Sequence, residues 1–159
     1  FLVSCHRAEN TNSIYRLRQI FEALSELAVE HSIILPLHPR TKKHLLQNEM
    51  MHLLDRMIVT EPLPFLDMIF LEQTAKAIIT DSGGIQKEAF FFGVPCITIR
   101  DETEWIETVQ LGWNKIVGAD KEKILKEANS ISYGKSKVMP YGDGKASKKI
   151  LTILGKSLC

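Results

Sequence analysis

Residues 78–95 read Ile78-Ile79-Thr80-Asp81-Ser82-Gly83-Gly84-Ile85-Gln86-Lys87-Glu88-Ala89-Phe90-Phe91-Phe92-Gly93-Val94-Pro95. A short apolar run stops at a polar turn with two glycines; an amphipathic segment follows, closed by a glycine and a proline. That order predicts a strand, a tight turn and the start of a helix, with Gly93 just past the helix end. At such a junction the first helical N–H groups lack partners and the helix dipole presents its positive end. An anion, most often a phosphate, fits there.

The same alternation repeats on either side. Strands are expected at 1–5, 33–37, 57–60, 77–80, 96–99 and 115–117, each short and apolar on both faces. Helices are expected after a Ser13 cap over 14–28, after a Thr41 cap to Asn48, and near 65–72, 84–92, 104–109, 121–129 and 145–154. Residues 6–12 read as a polar loop and 133–143 as an irregular polar crossing. Strands buried on both faces and separated by helices call for a right-handed parallel sheet covered on both sides. The fold class is therefore α/β: a three-layer, Rossmann-like parallel sheet. Ligands in such sheets bind at the carboxyl edge, where strand order reverses.

With 159 residues the chain suits a single domain over 1–159 with a real core. Twenty basic and 19 acidic residues give a net charge of +1, which supplies no field for nucleic acid or an anionic membrane. No apolar run reaches the roughly 20 residues of a membrane span. Cys5 and Cys96 fall in strand-like runs and Cys159 is distant from both, so reduced thiols and a cytoplasmic setting are expected. Phe1 already reads as strand interior, so a longer protein with further sequence upstream is expected.

Several side chains fall at strand ends. Ser82 and the amides of Gly83 and Gly84 suit a phosphate, glycine allowing close backbone approach. Glu88 follows Gly84 by one helical turn on the same face, where a carboxylate can accept from a vicinal diol such as a ribose. The plainer alternative is an ordinary turn with a solvated Glu, but serine, two glycines and a phased Glu together favour the site. His6 and Arg7 end the first strand; His6 can neutralise phosphate or exchange protons near neutral pH, or be a loop histidine with no task. Arg100 ends the fifth strand as a fixed cation or a plain surface arginine. His38 ends the second strand in a stretch that also reads as a solvated basic face. Phe65 is either a stacking platform for a base or a core residue at a helix start. Histidines and cysteines lack ligand spacing, so no metal is expected, and neither a Walker A loop, a Gly-x-Ser-x-Gly elbow nor a Gly-x-Gly-x-x-Gly fingerprint occurs.

Four segments, 6–10 (HRAEN), 80–89 (TDSGGIQKEA), 100–104 (RDETE) and 140–146 (PYGDGKA), occur in the order and setting of the non-hydrolysing UDP-N-acetylglucosamine 2-epimerases. The chain resembles the C-terminal half of that family across nearly its whole length. The resemblance implies the C-terminal domain of a glycosyltransferase-B-type two-domain fold, with the active site in the cleft. It implies UDP held by Ser82, Gly83, Gly84 and Glu88, the last on the ribose, with Phe65 against uracil and Arg100 near the nucleotide. His6 would stand at the cleft near the diphosphate leaving group, with Arg7 and His38 as possible additions. The implied reaction interconverts UDP-GlcNAc and UDP-ManNAc by elimination and re-addition of UDP, with no cofactor. Its proton-transfer carboxylates would lie in an N-terminal domain, so this chain alone would be inactive. A homodimer and a place in polysaccharide biosynthesis are also implied. Phe90 and Trp105-Ile106 stand where many relatives carry Pro and Arg-Pro, which leaves open a related 6-deoxy amino-sugar nucleotide. A UDP-sugar glycosyltransferase of the same architecture would use the same turn and Glu.

Overall fold

The computed structural model describes residues 1–134 and 140–157. Six strands, β1 (Leu2–Ser4), β2 (Ile34–Pro36), β3 (Ile58–Thr60), β4 (Ile78–Thr80), β5 (Cys96–Thr98) and β6 (Asn114–Ile116), pair in parallel in the order β3-β2-β1-β4-β5-β6. Parallel neighbours cannot be joined by tight hairpins, so each connection passes through helical segments. They are α1 (Ala8–Thr11) and α2 (Ile14–Leu27), α3 (Pro39–Gln47), α4 (Phe65–Thr74), α5 (Gly83–Phe92) and α6 (Ile106–Gln110), while α7 (Lys121–Asn129) and α8 (Ala146–Ser157) follow β6. Strand order reverses between β1 and β4, which pair over Leu2–Ile78, Val3–Ile79 and Ser4–Thr80. The first polar residues after these two strands therefore face one another at the carboxyl edge.

Local chemistry sets several helix ends. Ser13 accepts from Arg16 N at 3.3 Å and Asp120 from Lys123 N at 3.0 Å, each satisfying an amide of a first turn. Gly93 adopts φ 68° after α5, a left-handed value that glycine takes without strain. Alternation along the strands then sorts the core. Val3, Ile79 and Ile97 point to the face covered by Leu17, Ile20, Phe21 and Leu24 of α2 and by Ile124 and Ala128 of α7. Leu2, Ile78 and Cys96 point to the opposite face, against Ala89, Val94 and the partly buried Met68 and Leu71 of α4.

Two expectations are corrected. Residues 6–12 are not all loop: α1 forms there because Asp81 anchors its approach and Thr11 Oγ1 donates to Arg7 O at 3.1 Å. Thr41 does not cap α3; His38 Nδ1 does, accepting from Arg40 N at 3.1 Å, with Pro39 starting the helix. Thr41 is instead buried inside α3 and donates to Cys5 O. Of the two readings of Phe65, exposure of 69% excludes the core one, and a 3₁₀ turn at Met51–Leu54 had no signal in the sequence. The expected crossing at 133–143 falls partly on residues 135–139, outside the described residues, as does Cys159.

Candidate functional site

The carboxyl edge is organised by a side chain that was given no role from sequence. Asp81 is fully buried and accepts from His6 N at 3.1 Å to both oxygens, from Arg7 N at 3.0 Å and from Asn10 Nδ2 at 3.0 Å. A buried carboxylate needs such donors to offset its lost hydration. Asn10, also fully buried, donates on to Ile99 O at 2.9 Å and accepts from Arg16 Nε at 3.0 Å. Below them, Ser4 Oγ and Thr80 Oγ1 lie 2.6 Å apart and Thr80 Oγ1 accepts from Ser82 N at 2.9 Å. Together these bonds lock the ends of β1, β4 and β5 to one another.

Most of the expected residues come together on this frame. His6 and Arg7 follow β1 and Ser82, Gly83 and Gly84 follow β4, joined through Asp81. Ser82 makes no capping bond of its own, and the first-turn amides of α5 lack partners within the helix. A Cβ added at Gly84 would lie 3.8 Å from Ser82 Oγ and 3.9 Å from Glu88 Oε2, so hydroxyl and carboxylate flank that glycine. Arg100, after β5, is 8% exposed; its Nη1 donates to Glu104 Oε2 at 2.8 Å while its buried Nε meets no acceptor. His6 stacks on His38 with ring centroids 5.4 Å apart, and His6 Nδ1 lies 3.6 Å from Asp81 Oδ1. Burial, followed by the charges of His6 and Arg40, lowers the His38 imidazole from its ordinary value. Phe65 stands apart: it starts α4 beyond β3, with β2 between that strand and β1.

Several neighbours escaped the sequence. Glu104 reaches across to Gly83, where an added Cβ would collide with its Oε1, and the same oxygen lies 4.0 Å from Arg7 Nη2. Its own backbone N–H, then Arg100 and Arg7, hold the Glu104 carboxyl below the usual range despite some desolvation. Trp105 Nε1 donates to Gly83 O at 2.7 Å, and Lys87 Nζ sits 4.3 Å from the Trp105 ring and 4.7 Å from that of Tyr141. Gln86 Oε1 accepts from Thr103 Oγ1 at 2.6 Å and from Asn114 Nδ2 at 3.3 Å, and Asn114 Oδ1 accepts from Thr98 Oγ1 at 2.7 Å. Glu72 of α4 is 2% exposed with Oε2 unpartnered; burial, then the Glu88 charge, pushes its carboxyl up to about 7. The spacing from Arg100 to Glu104 and an acid directly after the apolar run Met68-Ile69-Phe70-Leu71 were the available signals. Among the described residues no three His, Cys, Asp or Glu side chains group to hold a metal ion.

A family model described as UDP-N-acetylglucosamine 2-epimerase matches residues 1–155. The UDP-2,3-diacetamido-2,3-dideoxy-D-glucuronate 2-epimerase of Pseudomonas aeruginosa is 45% identical over 98% of this chain and 44% of its own length. The UDP-N-acetylglucosamine 2-epimerase of Methanocaldococcus jannaschii is 42% identical over 97% of this chain and 44% of its own length. The crystal structure of the M. jannaschii enzyme in complex with UDP-GlcNAc and UDP superposes with a TM-score of 0.86 at 38% identity, covering 98% of this chain and 45% of that one. The chain thus spans less than half the length of these relatives.

Proposed function

Because this chain belongs to the UDP-N-acetylglucosamine 2-epimerase family, we propose that it is the UDP-binding, C-terminal half of an isomerase that interconverts UDP-GlcNAc and UDP-ManNAc. The observation that carries this is the meeting, at the β1–β4 switch point, of the α5 N-terminus with His6, Arg7, Glu88 and Arg100. Ser82 and the Gly83 and Gly84 amides hold the diphosphate, with Arg7 and Arg100 offsetting its charge. Glu88 accepts from the ribose diol. Phe65, exposed at the mouth of α4, offers a face to uracil. His6, with its backbone N–H bonded to Asp81, stands where it can donate to the diphosphate as it departs.

In the whole enzyme the C2 proton leaves to a base and the C1–O bond breaks with its electron pair going to UDP, forming a C1–C2 double bond. Protonation of C2 on the opposite face and attack of UDP on C1 complete the inversion. The residues here bind, orient and electrostatically support the leaving group, which must be held for its return. The proton-transfer groups belong to the remaining part of the enzyme. Homodimerisation, a cytoplasmic home and service to polysaccharide synthesis complete the proposal, the free, buried thiols of Cys5 and Cys96 supporting a reducing compartment.

A second assignment of the sugar rests on the 45% identity to the Pseudomonas enzyme. It makes the substrate a UDP-2,3-diacetamido-hexuronate, with the same UDP site. The test has two stages. Titration of the chain with UDP should give saturable heat and shifts at Gly83, Gly84 and Glu88; silence up to millimolar UDP ends the proposal. The full-length enzyme in D2O should then label C2 of whichever sugar nucleotide it accepts, whereas a glycosyltransferase leaves C2 unlabelled.

A further inference from the structure

The helix start at Gly83 already has an anion in it. Glu104 Oε2 accepts from Arg100 Nη1 at 2.8 Å, Glu104 Oε1 lies 4.0 Å from Arg7 Nη2, and that same Oε1 fills the space beside the Gly83 Cα where a Cβ would go. One carboxylate thus spans the three features assigned above to the diphosphate: both arginines and the glycine turn.

The loop around Glu104 is held from several directions. Thr103 Oγ1 donates to Gln86 at 2.6 Å and accepts from Trp105 N at 3.1 Å, while Trp105 Nε1 bonds Gly83 O at 2.7 Å. The Glu104 side chain itself is 43% exposed, against 10% for Arg100. Its carboxylate can therefore swing into solvent by side-chain rotation, leaving Arg100 and the loop in place. Arg100 Nε is meanwhile buried without an acceptor, so the guanidinium keeps donor capacity that Glu104 does not use.

We propose that Glu104 is a positioning residue, a resident counter-anion that holds Arg7 and Arg100 at the glycine turn when the site is empty and is displaced by the diphosphate of the ligand. This rests on the UDP-binding reading above. Two anions cannot share the same pair of guanidiniums at such separations without mutual repulsion. A diphosphate, with more charge and more acceptor oxygens than one carboxylate, wins the exchange. When UDP dissociates, Glu104 returns, and the cations are never left uncompensated. The exchange weakens UDP binding in proportion to what Glu104 loses on leaving. It costs a neutral nucleoside nothing, because uridine does not need the arginines.

The sign of this effect separates it from a structural role. A residue that merely supports the loop weakens ligand binding when removed; a displaced competitor strengthens it. Calorimetric titration of the wild-type chain, Glu104→Gln and Glu104→Ala with UDP and with uridine reads the difference. The expected result is UDP affinity raised about three- to tenfold in both variants, uridine affinity unchanged and thermal midpoints close to wild type. Unchanged or weakened UDP binding in variants that melt normally overturns the displacement while leaving the UDP site intact. Tightening of uridine by the same factor as UDP also overturns it, since no phosphate is then involved. A wild-type chain that binds no UDP at millimolar concentration takes down the UDP reading itself.

Discussion

On one face of the sheet, Val3, Ile79, Ile97 and Ile99 pack against α2 and α7 through Leu17, Ile20, Phe21, Leu24 and Ile124, all at most 2% exposed. On the other, Leu2, Ile78 and Cys96 meet a smaller set, Ala89 and Val94, and one step further along the strands the same face turns polar with Ser4, Thr80 and Thr98. Beneath α5 that face buries Gln86, Asn114, Thr108 and Glu72, and α4 leaves Phe65, Leu66 and Phe70 exposed. Apolar burial is non-directional and tolerant, and supplies most of the folding free energy. Hydrogen-bonded side chains in a low dielectric add less net stability but fix geometry, because each unmet partner is costly. The two faces thus divide the work: the α2–α7 face keeps the chain folded, and the α4–α5 face keeps β4, β5 and their loops in a single arrangement around the glycine turn.

Truncation of one buried side chain on each face exposes the largest difference. Phe21→Ala on the α2 side should cost about 3–5 kcal/mol, and Val94→Ala on the α5 side about 1.5 kcal/mol from two lost methyl-sized groups. Urea denaturation measures both; equal losses would mean that the smaller cluster carries as much of the core as the larger. Asp81→Ala comes next. It strips acceptors from His6 N, Arg7 N and Asn10 Nδ2, and an expected loss of about 2–4 kcal/mol should come with weaker UDP binding, since His6 and Arg7 lose their anchor. A variant as destabilised as predicted but binding UDP normally would show that Asp81 supports the fold without placing the site.

The two faces also differ in how far they could be read from sequence. Strand positions and the α2 stripe from Leu17 to Leu27 follow from periodicity alone, because they answer to burial, which acts residue by residue. The glycine turn and Glu88 are local too, one helical turn apart. Asp81, Asn10 and Glu104 are different: their partners lie 74, 89 or 21 residues away, as in Arg7 to Asp81, Asn10 to Ile99 and Glu104 to Gly83. Only the strand order brings those ends together. The start of α3 failed for a related reason. Thr41 looks like a cap in isolation, but a buried acceptor on β1, the Cys5 carbonyl, takes its hydroxyl and leaves the cap to His38. For Phe65 the core alternative is excluded because α4 has no covering layer outside it among the described residues.

Glu72 provides the most selective test, because it is buried in the α4–α5 face and its carboxyl is pushed up to about 7, by burial first and by Glu88 second. In the unfolded chain a glutamate ionises near its ordinary 4.5. Between that value and about 7 the folded protein holds a proton that the unfolded chain has released, so stability falls as pH rises through this window and stays reduced above it. His38 works in the opposite direction: its lowered pKa means that the folded state binds fewer protons, so its share of stability rises with pH. A raw pH profile mixes the two. Glu72→Gln separates them, since it keeps size and polarity, removes the ionisation on α4 and leaves His38 in place. The variant should gain on wild type from about pH 5 to about pH 7 in denaturation experiments and keep that gain above it, with little difference at the acid end. Parallel curves across that range would mean that Glu72 is already ionised in the folded protein, and that the thin face tolerates two neighbouring carboxylates at the same time.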